Sequence, residues 1–167
     1  MSRKWLILLP VVILGVVLDQ MTKQLVLQHL QLGASVPVIK GFFNLVHVHN
    51  RGSAFGLFSG LSLDFVRVFF AITTCIVLAV VGYLWWRLPE NQTMAALGYS
   101  LIIAGALGNL VDRLFRKGEV VDFLDFCWGR YHWPAFNVAD TLICLGAGFL
   151  VLVILREEKR VDASSTV

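Results

Sequence analysis

Two carboxylates have the surroundings and spacing to do chemistry. Asp122 lies in "GEVVDFLDF" (Gly118–Phe126) and Asp140 in "PAFNVADT" (Pro134–Thr141), both among apolar residues. An unpaired charge is expensive there. They are 18 residues apart with Gly129 and Pro134 between them, so they cannot share a helix face, but a chain that folds back can bring them together. Two neighbouring carboxylates do not both ionise readily and tend to share one proton. One can then activate water as a base while the other polarises a carbonyl. That is aspartic peptidase chemistry, and it requires no metal or other cofactor. Read alone, the Asp140 stretch has a plainer explanation. Asn137 is a good N-cap, and an acid three residues later completes a capping box and complements the helix dipole.

The elements that must carry these residues are membrane spans. Of 167 residues, 57% are apolar and only 15% charged, and mean hydropathy is +0.76. A soluble domain carries about 25% charge. Four stretches reach the roughly 20 apolar residues that a bilayer demands: Trp5–Val26, Phe65–Trp86, Met94–Phe115 and Phe136–Leu155. The basic, apolar N-terminus resembles a signal peptide, but its apolar run continues past Asp19 with no small-residue cleavage pattern, so it reads as a retained first span. The fold class is therefore a membrane all-α chain with a small β element, one domain over residues 1–167.

Depth groups the polar residues. Asp19 and Lys23 fall late in the first span, Arg67 early in the second, Asn109, Asp112 and Arg113 at the end of the third, and Asn137 and Asp140 at the start of the fourth. Successive spans alternate in direction, so all these ends converge on one side. Thr141–Leu155 covers only 15 residues, about 22 Å of helix, against a core of ~30 Å. The fourth span must then start near Phe136, with Asp140 about one helical turn inside the boundary. Asp19 and Lys23, like Asn109 and Arg113, are spaced i, i+4 on one face. Ala104 and Gly108 would admit a close neighbour helix. Ionisable groups at such depth usually face a bundle interior or a wet cavity. Snorkelling anchors are the alternative, and Arg67 suits that role best.

The loops fit this layout. The first and third, residues 27–64 and 116–135, are long, and the second is short. The termini and short loop carry six Lys and Arg on much less chain than the five on the long loops, which places both termini in the cytoplasm. "FFNLVHVHN" (Phe42–Asn50) alternates like a strand, and "NRGSAFGLF" (Asn50–Phe58) follows with turn chemistry. Together they predict a surface sheet and loop between the first two spans. The polar tail, 157–167, is expected to be disordered. A net charge of +3 without a basic stripe argues against nucleic acid. No C-x-x-C pair exists, and no serine sits in a G-x-S-x-G context. His47 and His49 share a strand face but lack a third metal ligand at a telling spacing.

Five blocks in order resemble the bacterial lipoprotein signal peptidases, the type II signal peptidases. They are "DQMTK" (Asp19–Lys23), "NRGSAF" (Asn50–Phe55), "GALGNLVDR" (Gly105–Arg113), "VVDF" (Val120–Phe123) and "PAFNVADT" (Pro134–Thr141). The resemblance implies a catalytic pair at Asp122 and Asp140. It also implies supporting roles for Asp19, Lys23, Asn50, Gly52, Asn109, Arg113 and Asn137. It implies cleavage of a prolipoprotein just before a diacylglyceryl-modified cysteine, with the substrate arriving laterally through membrane lipids beneath an extracytoplasmic cradle. It further implies a monomer in the bacterial cytoplasmic (inner) membrane, blocked by cyclic lipopeptides of the globomycin type. A small ion or proton transporter would want polar residues in both leaflets, and this chain gathers them near one face.

Overall fold

Long apolar runs with little charge form helices wherever lipid, rather than water, surrounds them, because only a helix satisfies its backbone within one segment. In the computed structural model, which describes residues 2–52 and 62–165, four such helices form. They are α1 (Arg3–His29), α2 (Leu63–Arg87), α3 (Thr93–Phe115) and α4 (Val138–Ser165). Each is long and apolar enough to cross a membrane. Large side chains such as Leu14, Ile76 and Ile154 are more than half exposed on the outside of the bundle, where a bilayer would cover them. Two differences from expectation concern α4. Its helical geometry begins at Val138, because Asn137 serves as its cap, and it continues to Ser165. The tail expected to be disordered is thus helical through that residue. Its run of Arg, Glu and Lys consists of good helix formers, and extending an existing helix needs no new nucleus.

α3 packs against each of the other three helices, and its small residues make that possible. A Cβ added at Gly105 would lie 2.2 Å from the carbonyl oxygen of Ala139, and one at Gly108 would lie 2.6 Å from Asp19 Oδ2. α1 and α4 therefore approach the same turn of α3. At the far end of the bundle, Lys4 Nζ donates to the carbonyls of Trp86 and Leu88, and Gln92 donates to Glu157. The start of α1, the α2–α3 turn and the polar end of α4 thus meet away from the carboxylates.

The sheet is larger than the sequence suggests. β1 (Ser35–Ile39) and β2 (Phe43–Asn50) come from the first long loop, and β3 (Val120–Trp128) and β4 (Tyr131–His132) from the second. They form one antiparallel sheet in the order β1-β2-β3-β4. "VVDFLDFCW", taken as loop, is its longest strand; its β-branched and aromatic residues suit a pleated surface. β2 pairs with β3 from Phe43 opposite Phe126 to Asn50 opposite Val120. Between Leu45 and Val48 the register shifts, three residues of β2 advancing against two of β3, Leu124 to Asp122. Such bulges re-aim side chains, and this one lies beside Asp122. Val26 of α1 packs with Val121 and Phe123, which fixes β3 onto the helix end.

Candidate active site

The first turn of α4 is held by two bonds exchanged between residues three apart. Asn137 Oδ1 accepts from Asp140 N at 3.0 Å, and Asp140 Oδ2 accepts from Asn137 N at 3.3 Å. The capping box is present. It leaves the Asn137 amide group and Asp140 Oδ1 for other partners. Asn137 Nδ2 donates to Asp122 Oδ1 at 2.7 Å, and Asn109 Nδ2 donates to Asp140 Oδ1 at 2.7 Å. Asn137 Nδ2 also reaches Asn109 Oδ1 at 3.3 Å. The two carboxylates are thus joined through two asparagines, Asp122–Asn137–Asn109–Asp140.

Asp122 is buried, at 2% exposure. Its second oxygen accepts from Asn50 Nδ2 at 2.9 Å. Burial pushes its carboxyl up to about 6, and the nearby charge of Asp140 adds to this against the opposing bonds from Asn50 and Asn137. Asn50 is itself oriented by Gly52, whose N–H donates to Asn50 Oδ1 at 2.8 Å. Gly52 has φ +83° and a Cβ there would lie 2.4 Å from the Phe70 ring. Only glycine meets both conditions.

Beneath this chain lies a buried ionic layer. Lys23, fully buried, donates to Asp19 Oδ2 at 2.8 Å and Asn109 Oδ1 at 3.0 Å and forms an ion pair with Asp112 Oδ2 at 2.8 Å. The two anions then take backbone donors. Asp19 Oδ1 accepts from Ala139 N at 2.9 Å, and Asp112 Oδ2 accepts from Val121 N at 3.2 Å. Each holds the backbone N–H of the residue just before one of the two aspartates. Gln20 and Arg116 complete the shell around Asp112.

Of the residues expected at the site, Asp19, Lys23, Asn50, Gly52, Asn109, Asn137, Asp122 and Asp140 are brought together. Arg113 pairs with no carboxylate among the described residues, neither Asp112 nor Asp19. It donates to Asn109 O within its own helix and lies 5.6 Å from the Phe70 ring. Arg67 caps the end of α3 through the carbonyls of Arg113 and Leu114, a structural role. Ser53–Phe55 of the second block, and the rest of the stretch to Leu61, lie outside the described residues. Sequence reasoning placed Asp112 at the right depth without giving it a role. Its signal was the i, i+4 spacing to Arg116. A cleft of about 760 Å³ opens above Asp122, lined also by His47, His49, Asn50, Arg51 and Glu119.

Four spanning helices with a carboxylate-centred polar cluster at one end define a multi-pass membrane protein with an enzyme-like site. Comparison with known proteins narrows this. Residues 11–156 match the family described as signal peptidase (SPase) II. The chain is 44% identical to the lipoprotein signal peptidase of Geobacter metallireducens over 146 residues, which covers 87% of this chain and 88% of that one. It is 50% identical to that of Desulforapulum autotrophicum over 131 residues, covering 78% and 80%. A bacterial membrane enzyme solved by the in meso method at 2.3 Å resolution superposes with a TM-score of 0.81 at 32% identity, covering 96% of this chain and 95% of that one. The chain belongs to the signal peptidase II family, a family of peptidases.

Proposed function

We propose that this chain is an aspartic endopeptidase that removes the signal peptide from diacylglyceryl-modified prolipoproteins, cleaving before the lipidated cysteine. The observation that carries this reading is the Asp122–Asn137–Asn109–Asp140 chain. It links two carboxylates, one on β3 and one on α4, through two asparagine side chains. Of the two, Asp122 is the better placed to hold the shared proton, since burial raises its carboxyl above the usual carboxylate range. Its O–H polarises the scissile carbonyl. Asp140, in the first turn of α4 where the helix dipole favours an anion, takes a proton from water as that water attacks. The proton passes to the leaving amine as the tetrahedral intermediate collapses.

The lipid anchor explains the depth of the site. A diacylglyceryl cysteine holds its peptide bond at the membrane surface, about where the start of α4 carries Asp140. The substrate enters from the lipid phase, and the sheet covers it on the extracytoplasmic side of the bacterial inner membrane, both termini being cytoplasmic. Globomycin-type cyclic lipopeptides would occupy the same cleft. The test compares two forms of one prolipoprotein, with and without the diacylglyceryl group, offered to the chain in lipid. Cleavage of the modified form alone, with the lipidated cysteine as the new N-terminus by mass spectrometry, is expected. Equal cleavage of both forms would refute the assignment.

A further inference from the structure

Asn50 reaches Asp122 from the last position of β2, downstream of the bulge between Leu45 and Val48. Past the bulge the ladder resumes for three pairs and ends with Asn50 opposite Val120, and a second tie secures that end. The residues on either side of Asn50 both close on one carboxylate: His49 Nδ1 lies 2.6 Å from Glu119 Oε2, and Arg51 Nε donates to Glu119 Oε1 at 2.8 Å. Glu119 stands immediately before β3, three residues from Asp122. We propose that Glu119 is a positioning residue: by gripping His49 and Arg51 it keeps the Asn50 side chain between them on Asp122. The inference rests on the reading of Asp122 as a reacting group.

Glu119 meets two partners across the strand end: His49, whose Nε2 lies 3.0 Å from that of His47, and Arg51. Although burial works the other way, their bonds and charges hold its carboxyl below the usual range. Because Arg51 is more than half exposed, this ion pair contributes little to stability. A large effect on rate with a small effect on stability is what positioning predicts.

The experiment uses the full chain in lipid with a diacylglyceryl-modified prolipoprotein, under single-turnover conditions so that slow variants remain readable. Glu119→Gln is expected to lower the maximal rate about tenfold or more, with half-saturation and thermal midpoint nearly unchanged. Arg51→Gln acts in the same direction and carries the test if Glu119→Gln fails to fold. In an Asn50→Ala background, Glu119→Gln should cost less than about twofold further, because the two act through one bond. Unchanged rates in both single variants, or the same factor in both backgrounds, would overturn the proposal. Asp122→Asn run alongside separates the two readings. If Asp122→Asn still cleaves, the dyad has failed; if it is inert while Glu119→Gln and Arg51→Gln run at full rate, only the role of Glu119 has failed.

Discussion

Asn137 and Asp140 hold each other, side chain to backbone in both directions, at 3.0 and 3.3 Å, while Asn137 also donates to Asp122 at 2.7 Å. Capping and chemistry had looked like competing explanations of the same carboxylate. Here one asparagine serves both. Its oxygen caps the helix, and its amide group donates to Asp122 and, through Asn109, links it to Asp140. A cap is a rigid mount, which the proposed proton-sharing pair needs.

The two roles can be separated by substitution. Serine at 137 retains an oxygen that caps but has no amide donor to give Asp122. Asn137→Ser should therefore keep the cap and lose only about 1–3 kcal/mol for the buried acceptors left without a donor, while turnover per folded molecule falls about tenfold or more. Thermal unfolding in detergent and a precursor-cleavage assay read the two quantities. Near-normal turnover would return Asn137 to a purely structural role.

Lys23 balances two buried anions. Replacing it with Met leaves Asp19 without a cation and Asp112 with Arg116 alone, and breaking such a buried pair costs about 3–5 kcal/mol. The expected outcome is a chain that unfolds at markedly lower temperature. Adding Asp19→Asn and Asp112→Asn together should recover part of the loss. A Lys23→Met chain as stable as wild type would show that the ionic layer is not what ties Val121 and Ala139 in place.

Asp122 also sets a pH dependence of stability with a defined sign. Its folded-state carboxyl is pushed up to about 6, above the unfolded value of about 4. Between these values the folded chain binds more protons than the unfolded one, so stability falls as pH rises. The contribution is whole below about 4 and gone above about 6, on the order of 3 kcal/mol at most. Carboxylates elsewhere, such as Glu119 and Asp125, are held low and act in the opposite sense, but they are common to wild type and Asp122→Asn. The difference in unfolding free energy between those two proteins should therefore change across pH 4 to 6, in the direction of a relatively weaker wild type at the upper end. A pH-independent difference would contradict the burial of this carboxyl.

Much of this was legible in the residues. Span positions follow from apolar run length, and the convergence of Asp19, Lys23, Asn109, Asn137 and Asp140 follows from alternating span direction. Three things were not. β3 was hidden because its apolar run has no alternation to mark a strand, and its partner lies some seventy residues away (Asn50 with Val120). Asp112 was hidden because its importance lies in which backbone N–H it accepts, a contact no spacing reveals. Glu119 was hidden because its partners lie some seventy residues away, His49 at the end of a strand and Arg51 in the turn stretch after it, and only the pairing of β2 with β3 brings them to it.

In the proposed reaction, Asp122 and Asp140 together carry out the hydrolysis. The most direct measurement is the single-turnover rate of Asp122→Asn and Asp140→Asn chains, each in lipid with a diacylglyceryl-modified prolipoprotein and each first shown to be folded by thermal unfolding. Both rates should fall by about a thousandfold or more, with the precursor still bound. A folded variant of either kind that cleaves at near wild-type rate would contradict the claim.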